Sequence, residues 1–180
     1  APMYAKFEAG EKLRVLASET RPLLQGARLT AWDLYDAGFD VTVVPVAAMA
    51  STVLSGEVDA YIVGADRIAA NGDAANKVGT VAHALAAQAA GIPFYVAAPT
   101  STIDVQLELG SEIEIEQRDA SEVHEIRGER LTPLGVSAAN PAFDVTPNHL
   151  ITAIITEAGV LKPPFMDSIA KAMGRVGGSA

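Results

Sequence analysis

Short apolar runs alternate with helix-like segments along the first 100 residues of the chain. β-Branched residues favour strands, whereas apolar residues that recur every three to four positions favour helices. Strands that alternate with helices are typical of a mostly parallel sheet with helices on both faces, so we expect a Rossmann-like α/β fold in a single domain. The pattern predicts strands over 13–17, 39–46, 60–63 and 94–98, and helices over 28–37, 47–54 and 79–90.

The second half of the chain has a less regular pattern. Isoleucine and glutamate alternate over 113–116, which predicts an exposed edge strand, and the pattern over 149–157 predicts a helix. Residues 140–147 contain two prolines around Phe143, and we expect a structural role there for Asp144, with a direct catalytic role as the alternative. Trp32 lies at helical spacing and is expected in the core.

Composition and charge narrow the classes of function. Hydrophobic residues make up 49% of the 180 positions and charged residues 19%, which is typical of a globular protein. The net charge of −9 argues against nucleic acid or an anionic membrane surface as a partner. The chain has no cysteine, and its apolar runs are too short for a membrane span, so a cytoplasmic protein is expected.

A carboxylate follows the predicted strand 60–63. Asp66 comes after the apolar end of this strand, beside Ala65, where it can be partly desolvated. Partial desolvation makes a carboxylate a better proton carrier near neutral pH. Asp66 is therefore a candidate acid/base, although the residues alone leave open that it pairs with Arg67 or caps a turn.

An Asn-Lys pair precedes the predicted helix 79–90. The start of a helix offers free backbone N–H groups and a partial positive charge, both of which bind phosphate. Lys77 would add a formal charge and Asn76 a directional donor, and Gly79 would allow close approach. The sequence thus predicts an anion site here, with an ordinary capped helix and a surface lysine as the alternative.

The connection between the first strand and the first helix, ETRPLLQGARLT over 19–30, is the third candidate. In doubly wound folds this connection binds ligands, but the G-x-G-x-x-G dinucleotide fingerprint is absent. Gln25 and Arg28 are polar groups expected near the ligand crevice. The alternative is that Glu19 and Arg21 form a local ion pair and that Gln25 caps the helix.

Taken together, these segments resemble one family. The segment 19–30 is similar to its first motif, the run from GADRIAANGD through NKVGT over 64–80 to its second, and NPAFDVTP over 140–147 to its third. The family is S-methyl-5-thioribose-1-phosphate isomerase of the methionine salvage pathway. The resemblance covers nearly the whole chain, in order.

The resemblance implies an aldose–ketose isomerase that acts on a phosphorylated sugar. It implies that Asp66 is the catalytic acid/base and that Gln25, Asn76 and Lys77 hold the substrate, with no metal or organic cofactor. In the family, an N-terminal portion supplies a cysteine and further phosphate contacts. The chain resembles the C-terminal half alone, so we expect that half to be a partner, little activity without it, and a homodimer.

Two related groups share part of the second motif. Ribose-1,5-bisphosphate isomerases have the Asn-Lys-x-Gly-Thr element, and so do non-catalytic regulatory subunits of the exchange factor for translation initiation factor 2. The run DRIAANG over 66–72 favours the methylthioribose enzyme over both. A general nucleotide-binding domain is a further alternative, and the missing glycine fingerprint argues against it.

Overall fold

The computed structural model describes residues 2–177. These residues form two compact units, one that ends at Met49 and one that begins at Ala50. Among the described residues, no helix has the length and apolar character needed to cross a membrane. The helices are α1 (Pro2–Glu8), α2 (Ala31–Asp36), α3 (Met49–Leu54), α4 (Thr80–Ala90), α5 (Ser121–His124) and α6 (Phe165–Gly177).

The strands are short, with none longer than five residues among the described positions. In chain order they are β1 (Arg14–Ser18), β2 (Asp40–Val44), β3 (Tyr61–Val63), β4 (Arg67–Ala69), β5 (Ala74–Lys77), β6 (Phe94–Ala97), β7 (Ile103–Asp104), β8 (Glu125–Ile126), β9 (Glu129–Arg130), β10 (Phe143–Thr146), β11 (Ala153–Thr156) and β12 (Gly159–Leu161).

The first unit is built on two parallel strands. β1 pairs with β2 in register from Arg14 opposite Asp40 to Ser18 opposite Val44. Four of the five residues of β2 are β-branched, which suits a pleated strand. The ring of Phe7 in α1 stacks on Phe39, with 4.3 Å between centroids. The predicted strands 13–17 and 39–46 are therefore confirmed.

Trp32 does not lie in the core as expected. The helical segment that carries it consists of a π-helical turn, Gly26–Thr30, followed by the six-residue α2. Within α2 only Leu34 is buried, and Trp32 is 64% exposed. The prediction was wrong because so short a helix buries one narrow face, and Trp32 lies outside it.

The second unit contains a four-stranded sheet in the order β12–β11–β6–β3. β3, β6 and β11 run parallel, and β12 pairs antiparallel with β11. Phe94 and Val96 of β6 and Ile154 of β11 are fully buried. Helix α4 ends where predicted, at Gly91, whose left-handed conformation (φ +69°) closes it. The predicted α/β fold is confirmed.

A second sheet, in the order β10–β5–β4–β7, was not predicted from the sequence. Its β5–β4 and β5–β10 pairs are antiparallel. The strands are two to four residues long, and β5 reads Ala-Ala-Asn-Lys, a composition with little strand propensity. Tertiary packing determines these strands, since Ala69 of β4 and Ala75 of β5 form a buried cluster with Ile113.

Two predicted elements of the second half are wrong. Residues 113–116 are irregular. Ile113 belongs to the buried cluster of Ala69 and Ala75, and Ile115 packs against it, but neither residue pairs with a strand of the described structure. The predicted helix over 149–157 is instead a 3₁₀ turn, Asn148–Leu150, followed by β11. The run Ile-Ile-Thr over 154–156 is β-branched and lies between β6 and β12, where it favours a strand.

We expect Gly72→Ala to destabilise the fold strongly. Gly72 has φ +88°, and a Cβ added there would lie 2.6 Å from Cβ and Cγ of Phe165. The left-handed backbone costs alanine about 1–2 kcal/mol, and overpacking adds about 1–3 kcal/mol. Chemical denaturation of the purified chain measures the sum.

Gly56→Ala is the matched control for this substitution. Gly56 has φ +82°, but an added Cβ meets nothing within 4 Å. Only the backbone cost of about 1–2 kcal/mol is expected. Equal losses in the two variants would contradict the close packing of Gly72 against Phe165.

Candidate functional site

The first candidate segment is the loop of residues 18–26 that follows β1, hereafter the β1 loop. It returns so closely on itself that a Cβ at Gly26 would lie 1.7 Å from the Ser18 carbonyl oxygen. Only glycine fits there, which explains the Gln-Gly step in the sequence. The loop therefore holds Gln25 beside the end of β1.

The backbone of the β1 loop is unusual at two non-glycine positions. Thr20 and Leu24 have φ values of +63° and +57°. The helix that follows starts with the π-helical turn Gly26–Thr30. Left-handed non-glycine residues and π-helical turns persist where the surroundings enforce them, and both cluster at functional sites.

Gln25 is half-buried, and its Oε1 has no hydrogen-bond partner among the described residues although the atom is buried. Its side chain makes no capping bond to the helix, so the capping alternative is not observed. Arg21 donates to the Pro22 carbonyl at 3.0 Å, and Glu19 accepts from the Val46 amide. Arg28 is exposed and donates to the Leu23 carbonyl.

In the second unit, Asp66 lies in the short connection between β3 and β4. Its backbone N–H donates to the Ala75 carbonyl at 2.8 Å, which ties it to β5. The side chain is exposed, so the expected desolvation is not supplied by the described residues. Arg67 pairs with Asp104 at 2.8 Å, and the alternative of an Asp66–Arg67 pair is not observed.

Asn76 and Lys77 lie on β5 and not at the start of a helix as expected. α4 begins three residues later, at Thr80. Asn76 Nδ2 donates to the Thr80 hydroxyl at 3.0 Å, and that hydroxyl donates to the Lys77 carbonyl at 2.6 Å. The turn from β5 into α4 is thus held by side chains of its own residues.

Lys77 is not a freely solvated surface lysine. Its side chain is half-buried, and Nζ lies 4.8 Å from the ring centroid of Phe143, its ladder partner on β10. The pKa of Glu122 is lowered, chiefly by its hydrogen bond from Arg118 and then by Asn140, with a smaller contribution from the charge of Lys77. A cation held over an aromatic ring is positioned before any ligand arrives.

Asp144 occupies the start of α4. Its carboxylate accepts from the Gly79 N–H at 2.6 Å and from the Val81 N–H at 3.1 Å. Burial raises the pKa of Asp144, and the backbone hydrogen bonds oppose this shift. Since an internal carboxylate takes these amides, the expectation that the helix start binds phosphate through them is wrong.

Comparison with known proteins assigns the family. The model of the initiation factor 2 subunit family matches residues 1–163. The chain is 56% identical to a methylthioribose-1-phosphate isomerase of Desulforudis audaxviator over 171 residues, which is 94% of the chain and 49% of that protein. A second isomerase of this name, from Exiguobacterium sibiricum, is 56% identical over 97% of the chain and 50% of its own length.

Solved structures give the same result. The crystal structure of 5-methylthioribose 1-phosphate isomerase from Pyrococcus horikoshii superposes with a TM-score of 0.92 at 46% identity, over 95% of this chain and 48% of that one. The structure titled translation initiation factor eIF-2B, subunit delta, from A. fulgidus has a TM-score of 0.91 at 41% identity, over 96% and 50%.

The chain therefore spans about half the length of the relatives that it matches. The resemblance found in the three sequence motifs is confirmed by the names of these relatives. With a family match over 163 of 180 positions, the chain belongs to the initiation factor 2 subunit family.

Proposed function

We propose that the protein is the C-terminal domain of an aldose–ketose isomerase that converts S-methyl-5-thioribose 1-phosphate to S-methyl-5-thioribulose 1-phosphate in methionine salvage. The identity of 56% to two isomerases of that name, over at least 94% of the chain, supports this function. The backbone hydrogen bond from Asp66 to Ala75 also supports the proposal. It joins the acid/base candidate to the strand that carries Asn76 and Lys77.

The proposed reaction determines which chemical steps the side chains of Asp66, Asn76 and Lys77 have to assist. The substrate's anomeric oxygen carries the phosphate, so the sugar ring cannot open as a free hemiacetal does. Conversion breaks the bond between C1 and the ring oxygen, moves hydrogen from C2 to C1, and transfers the proton of the C2 hydroxyl to the ring oxygen. No atom is gained or lost, and no external oxidant is required.

Asp66 is proposed to carry the proton between the C2 hydroxyl and the ring oxygen. An exposed carboxylate is a weak general base in water, so the ligand and the complementary half of the enzyme are proposed to exclude water around it. Lys77 is proposed to bind the phosphate as a point charge, and Asn76 and Gln25 to bind hydroxyl groups. The proposed partners, in line with the family resemblance, are the sugar phosphate, the N-terminal half of the enzyme and a second copy of the protein.

The second candidate function is a non-catalytic subunit that senses a sugar phosphate or nucleotide. The match to a protein titled eIF-2B subunit delta, at 41% identity, supports it. Phosphorus NMR of methylthioribose 1-phosphate separates the two functions. We expect conversion to the ketose phosphate when the chain is mixed with the complementary half of the Exiguobacterium relative, and binding without conversion would favour the sensor.

We expect Asp66→Asn to lower kcat by about 10²–10⁴-fold in this reconstituted mixture, because general acid–base groups typically contribute that much. Substrate affinity should stay within a fewfold of the unaltered protein, since the amide keeps the shape of the side chain. The exposed Asp59, changed to Asn, is the matched control. A fall in kcat of less than tenfold would remove Asp66 from the proton-transfer role.

We expect Lys77→Ala to weaken substrate binding by about 10–100-fold, the usual worth of a hydrogen bond to a charged group. The loss should shrink as salt is added, because the lost interaction is electrostatic. The exposed Lys162, changed to Ala, serves as the control and should bind normally. Equal affinity in both variants, measured by calorimetry, would show that Lys77 does not contact the phosphate.

A further inference from the structure

Two buried polar atoms of the β1 loop have no partner. Ser18 Oγ lies at the start of the loop and Gln25 Oε1 near its end, and neither has a hydrogen bond within the described structure. Buried polar side-chain atoms in native proteins are nearly always satisfied, because leaving one unpaired costs free energy. Two unpaired atoms in one nine-residue loop therefore call for a common explanation.

The backbone places the two residues at the same point of the fold. Gly26 approaches the Ser18 carbonyl so closely that no Cβ fits between them, and the Thr20 hydroxyl donates to that same carbonyl at 3.3 Å. Gln25, which precedes Gly26, is thereby held next to the end of β1. The two residues that carry the unsatisfied atoms are therefore close to each other along the folded main chain of the loop.

The loop maintains this arrangement against local conformational preference. Thr20 and Leu24, both in the left-handed conformation, lie within the segment that joins Ser18 to Gln25. Neither residue has the glycine-like freedom that makes such φ values easy. A conformation that is both unfavourable for its residues and unable to satisfy two buried polar atoms is the kind that functional sites retain.

The hydrogen-bonding properties of the two atoms limit which ligand groups can pair with them. An amide oxygen only accepts hydrogen bonds, whereas a serine hydroxyl both donates and accepts. The missing group must therefore donate to Gln25 Oε1. Phosphate oxygens that carry the negative charge cannot donate, but a sugar hydroxyl donates one hydrogen bond and accepts others.

We propose that Ser18 and Gln25 of the first unit form a subsite for hydroxyl groups of the sugar. This inference rests on the proposed function and adds Ser18 as a substrate-binding residue. Ser18 Oγ accepts from or donates to a sugar hydroxyl, and Gln25 Oε1 accepts from one. The subsite thus binds the sugar portion of the ligand.

The test compares Ser18→Ala with Ser111→Ala, an exposed serine of the second unit, in the chain mixed with the complementary half. Affinities for methylthioribose 1-phosphate and for inorganic phosphate are measured by calorimetry. We expect Ser18→Ala to weaken binding of the sugar phosphate by about two- to tenfold, the range of a neutral hydrogen bond. Binding of inorganic phosphate should not change, and Ser111→Ala should affect neither ligand.

Thermal unfolding of the ligand-free chain distinguishes a ligand-binding role of Ser18 from a structural role. Removing an unpaired hydroxyl breaks no internal hydrogen bond, so the melting temperature of Ser18→Ala should equal or exceed that of the unaltered chain. A lower melting temperature would assign Ser18 to the fold and overturn the subsite. Higher stability with weaker sugar binding would support it.

The remaining outcomes separate this inference from the proposed function. Normal affinity of Ser18→Ala together with normal turnover would overturn the subsite and leave the isomerase intact. Binding of the sugar phosphate without turnover in the unaltered mixture would overturn the isomerase, and the affinity ratio would still decide the subsite. Equal weakening of sugar phosphate and inorganic phosphate would overturn the hydroxyl assignment, and no binding by the unaltered mixture would overturn both proposals.

Discussion

The carboxylate of Asp144 is the constraint on which the candidate site in the second unit depends. It lies on β10 opposite Asn76 and reaches past β5 to accept hydrogen bonds from Gly79 and Val81. The side chain of Asp144 thereby links β10 to the turn that follows β5 and to the start of α4. Without it, the amides of Gly79 and Val81 at the start of α4 would lose their acceptor.

This arrangement changes the chemistry available at the helix. A helix start normally attracts an external anion, but here the protein supplies its own. The cost of burying Asp144 is visible as its raised pKa, and the amide hydrogen bonds offset part of it. Under the proposed function, affinity for the phosphate is therefore assigned to side chains such as Lys77 and not to these two amides.

Much of the fold was predictable, because β1, β2, β3, β6 and α4 carry strong local signals in their β-branched runs and helix stops. The second sheet was not predictable. β4 and β5 consist largely of alanine and polar residues, and they form strands only because Ile68 and Ala69 pack against buried neighbours contributed by distant parts of the chain. The strand β11 was missed because a short run that contains three β-branched residues cannot be told from a helix segment by periodicity alone.

The candidate residues were found from their positions after predicted strands and from the family motifs, whereas their surroundings required the structure. Local sequence gave no sign that Asp144 caps α4, because the bond spans 65 positions. It also gave no sign that Ser18 is unpaired, since the burial of its hydroxyl depends on how the β1 loop folds back. The exposure of Asp66 likewise reflects the geometry of its connection and not the apolar residues beside it.

The position of Asn76 and Lys77 on a strand has a geometric consequence for any ligand that contacts both. Successive side chains of a β-strand project to opposite faces, so these two neighbours lead in opposite directions from β5. Their ladder partners separate in the same way, with Phe143 beside Lys77 and Asp144 beside Asn76. Under the proposed function, a sugar phosphate bound by both side chains would straddle the terminus of β5, with its phosphate on the Lys77 side and a hydroxyl group on the Asn76 side of the strand.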